Sequence, residues 1–343
     1  MTGKGEVSGN AHTVFRLLKA PLSSVTVMSM RSVSLTRMLT LVSVLTAAGI
    51  ITVLLLQGHS SAAESHARMS SVADSTSSSA APASAAAPAS AKPSAKPKPS
   101  ATAPAAPAAN AALRSAVAGA NGAVSVSVTD LGTGRSLTYG APGHGFATAS
   151  IVKLDILSTL LLQAQDQGTV LTAAQRSLAT TMIENSDNNA ATALWNQIGQ
   201  ESGLNTANRR FGLVSTSGGT DGNWGLTSTT AADQVRLLRQ VFTGDSLLSS
   251  ASRSYVQGLL GQVESDQRWG VSAAASGSDY AVKNGWLPRS ATGLWVINSI
   301  GMVQRDGHEL LIAAVSDGNL SESSGIALVQ SVARAAADSL NGS

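Results

Sequence analysis

One stretch that cannot fold sets the limits for everything around it. From position 66 to 111 the sequence is almost entirely Ser, Ala, Pro, Lys and Thr, and Ala80 to Ala109 repeats Ala-Pro and Lys-Pro units. Such a segment buries too little apolar surface to offset its ordering entropy, so it reads as an extended, partly polyproline linker. Upstream, Met38 to Leu56 is a mostly apolar, uncharged run of nineteen residues. At helical rise it spans about 28 Å, close to the hydrocarbon thickness of a bilayer. The chain therefore divides into a basic tail at 1–37, a transmembrane signal anchor or signal peptide at 38–57, a linker at 58–111 and a folded domain at 112–343.

Charge follows the same division. Before Ala112 there are nine Lys/Arg against three Asp/Glu, and from Ala112 onward fourteen against seventeen. Lys19, Arg16, Arg31 and Arg37 precede the apolar run, which by the positive-inside rule sends the C-terminal part out of the cytoplasm. The expected location is the cell membrane as a single-pass protein, or secreted if the leader is cut near Ser61-Ala62-Ala63 or Ser65-His66-Ala67. The domain is mildly acidic, which argues against nucleic-acid binding. With no cysteine, disulfides, thiolate catalysis and Cys-ligated metals are excluded. Only His144 and His308 lie in the domain, one in a Gly-rich turn and one after Asp306-Gly307, a hairpin tip. Neither placement suits a catalytic triad, and no His pair has metal-ligand spacing. No cofactor or metal is expected.

Local patterns give an α+β fold. Ala123–Thr129 alternates as a strand with one buried face, and Ser136–Tyr139 follows a turn. Helices are expected at Leu113–Ala120, Ile151–Gln167, Ala173–Glu184, Asn189–Ile198 and after Thr230 through Val241. Strands at Tyr280–Lys283, Gly293–Arg305 and Glu309–Asp317 precede a closing helix at Glu322–Leu340. Two strands, a block of helices, three strands and a helix imply an antiparallel sheet of about five strands flanked by helices, with a helical subdomain.

Three short motifs sit on these elements. Ser150-Ile151-Val152-Lys153 opens the helix after the first hairpin. Residues at i and i+3 share a helix face, so Lys153, if neutral, can take the proton of the Ser150 hydroxyl. The helix N-terminus favours a developing oxyanion. Ser186-Asp187-Asn188 lies between two helices: Ser186 can relay a proton to a departing amine, Asn188 can hydrogen-bond a substrate amide, and Asp187 suits a helix cap. Lys283-Asn284-Gly285 ends a strand. Lys283 can bias the proton shuttle and attract a carboxylate, and Gly285 lets the backbone approach a ligand.

The order and placement of these motifs resemble the class A β-lactamase and penicillin-binding protein superfamily, over roughly Leu113 to Leu340. The resemblance implies that Ser150 is acylated and Lys153 activates it. Ser186 and Asn188 would line the cleft with Lys283 across it. The backbone N–H groups of Ser150 and Trp286 would form the oxyanion hole, with the Trp286 ring walling the cleft. The resemblance also implies a β-lactam or a D-Ala-ended peptidoglycan stem as the small substrate, and a monomer is expected.

Three departures stand out. Asn284 occupies a position where the family has a hydroxyl residue contacting the substrate carboxylate. Only 36 positions separate Ser150 from Ser186, fewer than in class A enzymes, which implies a more open site. The segment from Asn205 to Leu226 carries no glutamate for activating the deacylating water; Asp221, its only acid, is either a shorter substitute or part of an Asp-Gly turn. The expected activity is extracytoplasmic serine hydrolysis of β-lactams through a Ser150 acyl-enzyme. The alternatives are a D,D-carboxypeptidase or esterase on peptidoglycan stems, or a non-catalytic cell-wall binding or sensor domain.

Overall fold

The structure, a computed structural model, describes residues 107–341. The expected tail, the apolar run at 38–57 and nearly all of the linker lie outside the described residues. Among the described residues no helix is long and apolar enough to cross a membrane.

The elements in order are α1 (Ala111–Ala118), β1 (Val124–Asp130), β2 (Ser136–Gly140), β3 (Phe146–Ala147), a 3₁₀ turn (Ala149–Ile151), α2 (Val152–Asp166), α3 (Ala173–Glu184), α4 (Asn188–Gln197) and α5 (Gln200–Phe211). After a 3₁₀ turn at Trp224–Leu226 come β4 (Ser228–Thr229), α6 (Ala231–Phe242), α7 (Ser250–Leu260), β5 (Tyr280–Pro288), β6 (Trp295–Arg305), β7 (His308–Asn319) and α8 (Glu322–Asn341). The five long strands form one antiparallel sheet in the order β2-β1-β7-β6-β5, and β3 pairs with β4 in a small second sheet. The α+β class is as the sequence predicts.

Alternation along the strands feeds two cores. Leu311, Ala313 and Val315 of β7 pack with the helices α2 to α7, whereas Leu310, Ile312 and Ala314 pack with Val124, Val126 and Val128 of β1 and with Val329, Val332 and Ala336 of α8. β1 departs from expectation because it is buried along its whole length. Ser125, Ser127 and Thr129, predicted to face water, lie against the helical layer. Their hydroxyls are satisfied along the β1–β2 pair: Ser127 Oγ meets Thr138 Oγ1 at 2.9 Å and Thr129 Oγ1 meets Ser136 Oγ at 2.9 Å.

α2 is the axis of the helical subdomain. Every residue from Val152 to Leu162 is buried, including Lys153 and Asp155. The helix is thus surrounded rather than laid on a surface, and its polar side chains must find partners inside. Asp306 and Gly307, at φ 51° and 85°, close the β6–β7 hairpin where the sequence places it.

Candidate active site

The Ser150 segment is held from two sides. Thr148 N–H donates to the Thr227 carbonyl at 2.8 Å, through the small β3–β4 sheet. The buried Asn298 of β6 donates from Nδ2 to the carbonyls of Ala147 at 2.8 Å and Thr148 at 2.9 Å, and its Oδ1 accepts the Ser316 N–H at 3.1 Å. Ala149, just before Ser150, takes φ 47°, a left-handed conformation that needs such support in a residue with a Cβ. Gly285 of β5 lies against this turn: a Cβ there would stand 2.7 Å from Ser150 N and 2.8 Å from Thr148 O. Only glycine permits that approach.

Lys153 is the hub of the site. Its Nζ lies 3.0 Å from Ser150 Oγ, 3.1 Å from Ser186 Oγ and 2.9 Å from Asn188 Oδ1, and it also donates to the Ser186 carbonyl. These four oxygens exceed the three protons of an ammonium, so a neutral Nζ accepting from a hydroxyl suits the geometry. Burial pushes the Lys153 ammonium down to about 8, opposed by the charge of Asp187. Lys283, fully enclosed on β5, is held well below its ordinary value by burial and by the neighbouring Lys153. Its Nζ lies 3.0 Å from Ser186 Oγ. Ser186 Oγ therefore bridges the two lysines. This residue has φ 56°, which turns both its carbonyl and its hydroxyl toward Lys153. Asp187 caps α4 by accepting the Ala190 N–H at 2.7 Å.

Strand geometry fixes the direction of β5. Arg289 N–H donates to Leu294 O and Gln304 N–H to Asp279 O, so the odd positions of β5 are the ones bonded to β6. The even positions then direct their backbone groups off the sheet edge. The Asn284 carbonyl there meets Lys283 Nζ at 3.1 Å, and the Trp286 N–H points the same way.

Ser150, Asn188 and Trp286 line one cavity of about 520 Å³. Its opposite wall is Gly222–Leu226, with Trp224 foremost. The Trp224 ring centroid lies 5.1 Å from Lys153 Nζ, and its indole N–H donates to Thr192 Oγ1 at 3.1 Å. The Trp286 ring shares the Asn284 face of β5, where it meets Trp269 edge-on with centroids 6.0 Å apart. The pleat that turns Asn284 away also turns this ring from the Ser150 turn, so it does not wall the cleft beside Gly285 as the resemblance implies.

Two expected site residues stand elsewhere. Asn284 is buried on the far face of β5, where Nδ2 donates to the carbonyls of Gln267 at 2.6 Å and Trp269 at 2.9 Å. The pleat explains this, since Lys283 and Gly285 face the cleft and the residue between them must face away. Gln267 Nε2 in turn reaches the Asn185 carbonyl at 3.2 Å, so Asn284 supports the turn that carries Ser186. Asp221 is exposed at φ 54°, followed by Gly222 at φ 75°, in a turn closed by Asn223 N–H on Thr220 O at 2.9 Å. That is the Asp-Gly turn, and Asp221 does not border the cavity. Nor do His144 and His308, which pair with Asp317 at 2.7 Å and Asp130 at 2.9 Å.

Sequence reasoning missed Trp224, Asn298 and Arg289. Arg289 is the only charged residue lining the cavity. Among the described residues no group of three His, Cys, Asp or Glu could hold a metal.

A family model described as the beta-lactamase enzyme family matches residues 162–340 of this chain, beginning downstream of Ser150 and Lys153. The "Putative lipoprotein LppW" of Mycobacterium tuberculosis and of Mycobacterium bovis is 30% identical over 173 residues, covering 48% of this chain and 54% of the relative. The chain thus spans about half the length of the curated relatives it matches. The fold is similar to a β-lactamase from Xanthomonas campestris, with TM-score 0.55, 21% identity and coverage of 67% of this chain and 96% of that one. It is also similar to PBP-A, with TM-score 0.57, 19% identity and coverage of 67% and 94%. A point mutant of PBP-A, solved as an acyl-enzyme complex with penicillin G, gives TM-score 0.57 at 20% identity, covering 67% and 94%.

Proposed function

The chain belongs to the β-lactamase enzyme family, and from that membership we propose that it is a serine hydrolase whose Ser150 is acylated by β-lactams and which releases the acyl group slowly. The observation that carries this is Lys153 Nζ, buried and 3.0 Å from Ser150 Oγ.

The steps follow from the geometry. Neutral Lys153 takes the Ser150 proton as Oγ bonds to the lactam carbonyl carbon. The N–H groups of Ser150 and Trp286 face the oxyanion that develops. The C–N bond then breaks, and the departing nitrogen takes a proton from Ser186 Oγ. That hydroxyl recovers its proton from the lysines on either side, 3.1 and 3.0 Å away. Asn188 faces the cavity beside Ser150 and suits the substrate amide.

Deacylation needs a water and a base on the ester. The Trp224 ring lines the cavity 5.1 Å from Lys153 Nζ and takes up space beside the ester, and Asp221 does not border the cavity. This favours an acyl-enzyme that persists. It keeps open a second role on the same chemistry, in which a peptidoglycan stem is the natural substrate and a β-lactam a long-lived inhibitor.

The test is labelling with a fluorescent penicillin, mapped by mass spectrometry, followed by a chromogenic cephalosporin assay. One equivalent on Ser150 with a burst and slow turnover is expected. Labelling elsewhere, or equal labelling of Ser150→Ala, would sink the proposal. The domain is proposed to act outside the cytoplasm, anchored through 38–57 or secreted. The lipoprotein name of the mycobacterial relatives supports that side of the membrane, while these 343 residues hold no cysteine for a cysteine-linked lipid.

A further inference from the structure

We propose that Arg289 selects substrates that carry a second anionic group, carboxylate or phosphate, well beyond the carbonyl that Ser150 attacks. The inference rests on the acyl-enzyme reading above and adds to it a feature of the substrate.

Lys153 and Lys283 do not line the cavity, and both amines are engaged by Ser186 Oγ. No acidic residue lines the cavity, and Arg289 is its only charged wall residue. The Arg289 side chain makes no hydrogen bond or ion pair among the described residues. Its backbone, by contrast, is fixed. Arg289 N–H donates to Leu294 O at 2.8 Å, and its carbonyl accepts from Thr292 N–H at 3.0 Å and Gly293 N–H at 2.7 Å. The base of the β5–β6 hairpin thus presents a free guanidinium from a rigid point.

Reach decides which anion it meets. Arg289 lies four residues along the strand from Gly285, about 13 Å at extended rise, and Gly285 abuts Ser150. An arginine side chain spans about 6 Å, so the guanidinium stays about 7 Å or more from the reacting centre. A carboxylate attached next to the scissile bond falls short of it. An anion farther out on the acyl side chain comes within range, between Pro288, Ser290 and Ala291 on one side and Leu226 on the other. A guanidinium binds either a carboxylate or a phosphate through two parallel N–H donors.

The experiment uses the full chain and three penicillins identical except for the end of the acyl side chain: a methyl ester, a carboxylate and a phosphonate. Second-order acylation rates are measured by competition with the fluorescent label. At least one anionic member is expected to react about three- to tenfold faster than the ester, less so in high salt. Which anion is preferred identifies the group. Arg289→Gln should bring that ratio close to one, and Arg289→Lys should keep part of it. Arg239→Gln, which removes the same charge from the exposed face of α6, should leave the ratio unchanged. The same three compounds are titrated against Ser150→Ala, where equilibrium binding does not depend on acylation. A preference for an anion there that disappears with Arg289→Gln supports the proposal even if the acyl-enzyme reading fails. Ratios unaffected by Arg289→Gln, in rate and in binding alike, would overturn it.

Discussion

Trp224→Ala should change both halves of the reaction, in opposite directions. The ring covers Lys153 Nζ at 5.1 Å and does two things to it. It keeps water away, which disfavours the ammonium, and its π face attracts the ammonium. The downward push from 10.5 to about 8 corresponds to about 3 kcal/mol against the charged form. A cation–π contact returns only about 0.5–2 kcal/mol, so desolvation wins. Opening this wall should let the Lys153 value rise by about half a unit to one unit, leaving about three- to tenfold less neutral amine at pH 7 and slowing acylation by that factor. Water would then reach the ester, and deacylation should speed up. The assay is stopped-flow acylation across pH 6 to 10, with the acyl-enzyme lifetime followed by mass spectrometry. Slower acylation, a pH midpoint shifted upward and a shorter lifetime are expected together. An unchanged lifetime and an unchanged midpoint would show that the ring is only part of the wall and that the account of slow turnover is wrong.

Four further outcomes are expected. In the unmodified chain, acylation should rise as pH climbs through about 8, because Lys153 must lose its proton before it can accept one, and Lys153→Ala should cost about 10²–10⁴ in rate. Gly285→Ala should abolish labelling and lower the melting temperature, because the new methyl falls 2.7 Å from Ser150 N and 2.8 Å from Thr148 O, both backbone atoms; normal labelling would disprove the close approach. Asn298→Ala should lower stability by about 3–5 kcal/mol in denaturant titrations, since two carbonyls and one N–H lose their partner. Burial, reinforced by Asp233 and opposed by the Asn208 hydrogen bond, raises the Asp155 carboxyl to about 7. Between 3.8 and 7 the folded state holds a proton that the unfolded chain has lost, so stability should fall by up to about 4 kcal/mol as pH rises through that window, and Asp155→Asn should flatten the profile.

Much of the fold is legible because its signals are local. Thr172 forms a capping box with Gln175 at the start of α3, and Thr230 caps α6; both helices begin where the sequence places them. The helix at Gln200–Phe211 escapes sequence reasoning, and its start explains why. Its N-cap is Gly199 in a left-handed conformation with no side-chain bond, so no capping residue announces it. β5 extends to Pro288, five residues past expectation. Nothing local continues the alternation beyond Lys283; the strand continues because β6 offers it partners as far as Trp295. The same dependence on neighbours hides the second buried face of β1.

The candidate site divides along a similar line. Ser150 and Lys153 are one helical turn apart, so their meeting follows from spacing alone. Ser186 and Lys283 meet 97 positions apart, and only the order of motifs points to it. The pleat decides the rest. If Lys283 and Gly285 both face the Ser150 turn, the residue between them must face the other way, whatever its side chain. Asn284 is therefore out of reach of the cleft, and its amide does different work. It binds the Gln267 carbonyl, Gln267 binds the Asn185 carbonyl, and Asn185 leads into the left-handed Ser186. A short hydroxyl residue at 284 would lack the second donor that holds both Gln267 and Trp269. The asparagine thus ties the third motif to the second through the far face of the sheet.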